Sequence, residues 1–450
     1  MQKKNTMKQS KKVALGSILN VLLVFAVVVS ARGFVSDLKN TFKYGGVDLR
    51  NRVVGTRLMM DGEDPYYFKW SEDYPDTLLD PIDNPDNPVS RVSVPPTVLM
   101  LQIPLSKAPY SAQRVVWFTL QWLLLLGSIF LFARSAGSRD KAKAVWIIGL
   151  FLSGTCMWRF HVERGQIYVL YVFLISLSYW SYNKSFRYSS FLGGLALGIT
   201  ASLRPTVLLM FIPLLIFRKW NLLLGVVAGF LIFMLITLAL FGVPVWRSYF
   251  SAMRYHEKPN LGEAQMESLG FEDRNVEGVD NLKLFLPFPN INTSIQYFFK
   301  RVFHLDLSSQ TLLALLGLTV LIISAFIFRY RTRRVSLATI FLAGSVMMLV
   351  SEYFLPAIKA YYSNILWFIP FALIVMDADI LPSIKTNRLL FALFMLLAGL
   401  FFSLSILWES YDVLIGEAAI VLFFASMAAF LLQASPKGLN LEICEAGEPD

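Results

Sequence analysis

The sequence predicts an all-α polytopic membrane protein of about twelve transmembrane helices, on three observations. Of its 450 residues 56% are hydrophobic and only 16% charged, too apolar a balance for a soluble core of this size. Apolar runs recur from end to end, and basic residues gather in every second turn between them, as the positive-inside rule requires.

Taken in order, the expected spans are 13–33, 113–133, 144–158, 165–182, 189–203, 205–217, 221–243, 309–328, 336–351, 361–376, 389–408 and 411–433. The tail carrying Lys3, Lys4, Lys8, Lys11 and Lys12 starts inside. Each even-numbered span then returns to a basic turn: Arg134 to Lys143, Lys184/Arg187, Arg218/Lys219, Arg329 to Arg334, and Lys385/Arg388. One missed or spurious helix would move every later basic turn to the wrong side, so charge supports the count independently of hydropathy. The expected setting is the cell (inner) membrane, crossed many times, with both termini cytoplasmic. This placement also accounts for the net charge of +10, which calls for no nucleic-acid partner.

The first apolar run exceeds a usual signal-peptide core and is expected to remain as an anchor. Cys156 falls in a span and Cys444 in the inner tail, so neither a disulfide nor a metal site is implied.

The chain reads as one integral membrane domain, 1–450, with two long outer loops at 34–112 and 244–308. Acidic residues crowd both. In the first loop, residues 46–60 place Val47, Val54 and Leu58 at helical spacing with Arg50, Asn51 and Arg57 between, which predicts a helix lying at the membrane surface. Residues 61–90 are rich in Pro, Asp and Asn and read as irregular; 92–109 are apolar, broken by prolines and too short to span, as in a second interfacial or re-entrant helix.

Asp48 opens the first of these helices, near the boundary where a lipid-borne phosphate emerges. Such a carboxylate can serve as general base toward a hydroxyl; equally, it suits the positive end of the helix dipole. Arg204, before Pro205 at an outer helix end, can fork onto a phosphate or snorkel to headgroups. Arg159, His161, Glu163 and Arg164 crowd the short outer turn before Gly165-Gln166, as at a pocket rim. Gln166 can bond a sugar hydroxyl or cap its helix.

Gly46-Val-Asp-Leu49, Gly62-Glu-Asp-Pro-Tyr66, Val94-Pro-Pro-Thr97 and Ile103-Pro-Leu105 together resemble the opening of glycosyltransferase family 87. Gly165-Gln166, Leu203-Arg204-Pro205 and Asn292-Thr-Ser294-Ile295 follow in the family's order, so the resemblance covers most of the chain. It implies a bundle like that of GT-C membrane enzymes, similar to the phosphatidylinositol-mannoside mannosyltransferases that use polyprenyl-phosphate sugars. It also implies that Asp48 is the catalytic base.

Family members often carry Ser-Pro-Ile-Ser-Trp-x-His-His before the tenth span. Here the corresponding stretch runs from Leu355 to Tyr362 without the histidine pair, leaving Lys359, Tyr361 and Tyr362 as candidate contacts to sugar or phosphate. His256 and His304 lie on the other outer loop, where a lone histidine is more often incidental. Asp377-Ala-Asp379 mimics a metal-holding Asp-x-Asp but is expected on the cytoplasmic side, as a helix-end turn. Asn292-Thr-Ser294 also matches a glycosylation sequon, though the family order gives a better reason for it.

The expected activity is transfer of a hexosyl or pentosyl group from a polyprenyl-phosphate donor to a lipid or glycan acceptor of the cell envelope, on the outer side. One inverting displacement would use Asp48 as base, with Arg204, Arg159 and Arg164 on the donor phosphate. Gln166, Asn292, Ser294, Lys359, Tyr361, Tyr362 and His161 would contact sugar or acceptor. No metal ligands are assigned and no cofactor beyond the lipid-linked sugar is implied; dependence on a divalent metal stays open. The competing class is a lipid-linked glycan flippase or a small-molecule transporter, which usually carries ionisable groups inside its spans. The spans as drawn here hold few.

Overall fold

A computed structural model describes residues 2–43, 45–256, 292–355, 359–377, 387–403 and 410–436. The regular elements among them are helices: α1 (Gln2–Lys43), α2 (Val47–Asp61), α3 (Pro96–Met100), α4 (Tyr110–Arg134), α5 (Arg139–Leu152), α6 (Cys156–Arg164), α7 (Tyr168–Tyr182) and α8 (Ser189–Leu203). There follow α9 (Phe211–Ile216), α10 (Trp220–Tyr255), α11 (Ile295–Phe303), α12 (Ser309–Phe328), α13 (Leu337–Phe354), α14 (Phe368–Asp377), α15 (Asn387–Ser403) and α16 (Ser410–Ala434). Tight 3-10 turns at Pro205–Met210 and Tyr361–Trp367 lead into α9 and α14.

By length and composition, six of the described helices can cross a membrane: α1 from Gly16, α4, α10, α12, α13 and α16 from Val413. A seventh is gained if α5 and α6 form one span bent by 61°. The expected span 144–158 is therefore a broken one, interrupted at Ser153–Thr155, where the Thr155 hydroxyl caps α6 by accepting from Trp158 N. Five further apolar helices are shorter, α7 and α8 among them. Fifteen residues reach only about 22 Å, less than a hydrocarbon core of about 30 Å. Length alone thus accounts for fewer crossings than the expected twelve.

The short helices are packed against long ones. On α8 and α10, Gly194 and Gly198 face Gly225 and Gly229; a Cβ on Gly194 or Gly198 would overlap Leu222 O or Val226 O. This is close backbone approach at small-xxx-small spacing, the usual adhesive of helices in lipid. The expected boundary after 243 also moves: α10 continues to Tyr255 across Gly242, whose φ of 73° only glycine adopts easily ahead of Pro244.

α2 forms as expected, but protein encloses it. Eleven of its fifteen residues are buried, including Arg50, Asn51 and Arg52. Its arginines organise the irregular segment by its carbonyls. Arg50 donates to Leu79 O (2.9 Å) and Asp76 O (2.7 Å), and Arg57 donates to Thr77 O (2.8 Å), Ser106 O (2.9 Å) and Ala108 O (3.0 Å). A Pro/Asp/Asn-rich stretch with no ladder of its own is ordered because its backbone acceptors are satisfied by buried guanidinium groups. The expected second interfacial helix is only α3 and a 3-10 turn at Ile103–Leu105.

Contacts separate the two ends of the bundle. At one, Lys141 donates to Met376 O (2.9 Å), Arg333 donates to Gln433 O and to Ser435 O (3.1 Å), and Ser336 donates to Asp377 (2.6 Å). At the other end of α13 stands Glu352, paired with Arg204, and at the start of the turn before α14 stands Tyr362, an electrostatic neighbour of Asp48.

Candidate active site

The site is assembled where α2, the α6–α7 turn and the end of α8 meet. Gly46 precedes α2 with φ 65°, and a Cβ there would overlap the Arg114 guanidinium. Tyr110 Oη donates to Gly45 O (2.5 Å) and Gly46 O (2.9 Å), fixing the entry to the helix. Asp48 follows in the first turn. Gly165 ends α6 with φ 71°, and a Cβ would lie 2.6 Å from Leu49 Cβ, so glycine lets α2 approach this turn. Arg52 seals the contact by donating to Gly165 O.

Asp48 is thereby clasped. Arg164 Nε donates to its Oδ2 (2.5 Å) and Arg164 Nη2 to its Oδ1 (2.9 Å), while Gln166 Nε2 also donates to Oδ2. Arg91 Nη2 stands 3.6 Å from Oδ1. Burial would raise the Asp48 pKa, but the charge and hydrogen bonds of Arg164, with the charges of Arg91 and Arg52, outweigh it and hold the group below the usual carboxylate range. Asp48 is an anion at neutral pH, and its side chain remains 18% exposed.

A chain of rings connects it to Arg204. Arg164 lies 5.7 Å over the Tyr362 ring, Tyr362 is 5.7 Å from Tyr168, and Arg204 lies 4.5 Å over Tyr168. Thr97 Oγ1 donates to Ser202 O (2.7 Å), tying the first loop to the end of α8 just before Arg204. Arg204 does not present a bare guanidinium: Nε donates to Glu352 Oε1 (2.8 Å) and Nη2 to Oε2, with Thr206 adding a bond to Oε1 (3.0 Å).

The other expected residues fall elsewhere. Arg159 interacts electrostatically with Asp37 of α1, away from the Asp48 clasp. His161 is fully buried, stacked on Trp158 at 5.4 Å, and its Nε2 accepts from Val169 N (3.2 Å). It supports the turn from behind. Asn292, Ser294 and Lys359 form a second, buried group. Asn292 Oδ1 accepts from Ser294 N (3.0 Å) and Lys359 N (3.2 Å), and Ser294 caps α11. Lys359 Nζ donates to Glu417 Oε2 (2.6 Å) and Asn364 Oδ1 (3.1 Å). Tyr361 flanks this group, half-buried, with Cys156 and Glu417 as electrostatic neighbours.

His304 is an exposed α11 cap, and His256 faces the Val92 backbone and the charges of Arg91 and Lys69. Asp377 accepts from Ser336 and Thr339, as expected of a helix-end turn. Asp379 and Cys444 lie outside the described residues.

Sequence reasoning missed Arg91, Arg52, Glu352 and Glu417. Asp37, Glu163, Glu352 and Glu417 are all buried helix residues, and of the four only Glu417 lies inside a span as drawn from the sequence. A carboxylate at the end of an apolar run such as 337–354 is itself the signal, since it needs a cation from elsewhere. Chemically, the site offers an ionised carboxylate flanked by three guanidinium groups, Arg164, Arg91 and Arg52, and two tyrosines, Tyr168 and Tyr362, suited to taking a proton beside an anionic leaving group.

The family model for glycosyltransferase family 87 matches residues 94–351, which include Arg164, Gln166, Arg204 and Asn292 but neither Asp48 nor Glu352. Neither a curated protein nor a solved structure matches the chain.

Proposed function

The chain belongs to glycosyltransferase family 87, and from that premise we propose that it moves a hexosyl or pentosyl group from a polyprenyl-phosphate donor to a hydroxyl of a lipid or glycan acceptor. Membership makes it a membrane glycosyltransferase and displaces the flippase or transporter alternative. Donor, acceptor and mechanism are our reading. The observation that carries it is the Asp48 clasp, an ionised carboxylate built from α2 and the α6–α7 turn and joined through Tyr362 and Tyr168 to Arg204.

In this reading the acceptor oxygen bonds to the anomeric carbon as the bond from that carbon to the phosphate oxygen breaks. The phosphate leaves with the electron pair, and the acceptor proton passes to Asp48. A phosphate leaving group needs little acid assistance, so one base and nearby cations suffice, unlike the paired carboxyls of glycoside hydrolysis. Arg164 and Arg204 serve the phosphate; Arg159, turned toward Asp37, drops out of that set. Gln166 positions the base, and Tyr362 and Tyr168 wall the sugar. The positive-inside assignment puts this end of the bundle on the outer side.

The test incubates purified protein with a panel of polyprenyl-phosphate sugars and membrane lipid extract, scored by mass spectrometry for a new glycoside. Asp48→Asn is expected to lower the rate by roughly 10²- to 10⁴-fold, the usual worth of a general base. Near wild-type transfer by folded Asp48→Asn protein refutes the base assignment.

A further inference from the structure

The two oxygens of Asp48 are not equivalent. Oδ2 accepts from both Arg164 Nε and Gln166 Nε2, which fills its two lone pairs. Among the described residues, Oδ1 accepts only from Arg164 Nη2 within hydrogen-bond range. Its second lone pair faces Arg91 Nη2 at 3.6 Å, near but not bonded.

Arg91 is held at that distance by a second carboxylate. Its Nη1 donates to Asp80 Oδ2 (3.1 Å) and Oδ1 (3.2 Å). Asp80 is 7% exposed and anchored by Asn51 Nδ2 (3.1 Å), one turn after Asp48 on α2, and by Ile82 N (3.3 Å). The backbone around Arg91 is fixed by Ser90, whose N donates to Tyr66 O (2.8 Å) and whose Oγ donates to Pro65 O (2.6 Å). A swing of roughly 0.7 Å would turn the 3.6 Å approach into a charge-assisted bond. Arg52, Arg164, Tyr168 and Tyr362 complete the surroundings of Asp48, and His256 and Lys69 lie beside Arg91.

We propose that Asp80 is a positioning residue for the base: it holds Arg91 off Asp48 Oδ1 and keeps that oxygen's remaining lone pair open for the acceptor hydroxyl. The inference rests on the reading of Asp48 as base. It adds that Oδ1 is the proton-accepting atom and that a carboxylate on the irregular segment controls access to it.

The experiment compares wild type, Asp80→Asn, Arg91→Met and the double variant as full chains in lipid nanodiscs. Asparagine keeps one acceptor oxygen for Ile82 N and turns an amide NH2 toward Asn51, whose own amide can flip to accept, while weakening the hold on Arg91. Infrared spectra of ¹³C-aspartate-labelled protein, differenced against Asp48→Asn, isolate the Asp48 carboxylate stretch at pH 7 without substrate. Asp80→Asn is expected to move the antisymmetric stretch to lower frequency as Arg91 bonds Oδ1, and the double variant to return it. With the donor found productive in the panel above, Asp80→Asn should lose about tenfold in kcat with KM little changed. The double variant should regain most of that loss.

An unmoved stretch in Asp80→Asn, or a double variant no better than Asp80→Asn, overturns the proposal. If Asp80→Asn does not fold, the infrared arm on Arg91→Met decides: an Asp48 stretch that stays at the wild-type frequency agrees with an Arg91 already held off Oδ1, and a stretch moved to higher frequency, as on loss of a bond to Oδ1, overturns the proposal. Failure of the base reading shows separately, as transfer retained by Asp48→Asn, while the infrared arm still reports on Arg91.

Discussion

Removing the charge of Glu352 is the sharpest test of how the site is built. Glu352 is 3% exposed at its side chain and Arg204 18%, and the carboxylate accepts twice from Arg204 and once from Thr206. Breaking a buried ion pair from one side costs about 3–5 kcal/mol, since the remaining charge is left without its partner. Arg204 keeps Tyr168 at 4.5 Å and a partly wet edge, so Glu352→Gln belongs at the low end, about 3 kcal/mol. Arg204→Met should cost about as much, because Glu352 then keeps one hydroxyl donor. The double variant removes both charges, so its cost should fall short of the sum by about 2 kcal/mol. Reversible unfolding in mixed micelles, followed by tryptophan fluorescence, measures the cycle. Additive single effects, with coupling below about 0.5 kcal/mol, would refute the claim that Glu352 holds Arg204 in place.

Three shorter predictions rest on other features. Gly165→Ala must accommodate φ 71° and a Cβ 2.6 Å from Leu49, so it should push α2 off the α6–α7 turn; we expect transfer to fall at least tenfold with a melting temperature changed by only a few degrees. Gly198→Leu drives a side chain into the α10 backbone at Val226 and is expected to abolish well-folded protein, read as loss of the monodisperse peak in size-exclusion chromatography. Burial raises the Asp83 carboxyl to about 6, against the opposing charge of Lys69. The folded state therefore holds this proton more tightly than the unfolded state, and its contribution is fully present below about pH 4 and lost as pH rises toward 6. Asp83→Asn should remove that slope from stability-versus-pH curves, and an unchanged difference curve would disprove the assignment.

Much of this was legible in the sequence because membrane proteins write their architecture in periodic, local signals. The helix at 46–60 and the basic turns were readable there, and so were Asp48, Gln166 and Arg204 as candidates. What was not readable is pairing at long range. Arg204 and Glu352 are 148 residues apart, and Asp48 and Arg164 are 116 apart, so no spacing rule joins them. Helix α2 was expected at the membrane surface from apolar residues at helical spacing with Arg50, Asn51 and Arg57 between them. Arg50 is buried and Arg57 half-buried because the segment after α2 supplies carbonyls, and carbonyl acceptors leave no mark in composition. His161 and Arg159 were grouped with Arg164 because they share a turn in sequence; Arg159, five residues away, points to another helix face, and His161, though three residues away, is held by Gln121, Trp158 and Val169 N.

The two ends of the bundle use cations differently, and this bears on how an anionic donor is received. At the Asp377 end, Arg333 and Lys141 donate to carbonyls at helix C-termini, where a cation also meets the negative end of the helix dipole. At the Asp48 end, Arg50, Arg52 and Arg57 also donate to carbonyls, but Arg164, Arg91, Arg204 and Lys359 meet carboxylates. Each of those four cations already has a carboxylate partner. A phosphate entering here brings charge toward Glu352 and Asp48, so it gains little from Arg204 or Arg164 unless the guanidinium is shared or a carboxylate gives way. With Asp48 as the proposed base, Arg164 cannot leave it without releasing the group it orients, whereas Arg204 can pivot on the Tyr168 face while Thr206 still holds Glu352. In a phosphate-binding mechanism Arg204 is thus the cation that changes partner, and Arg164 is the one that stays.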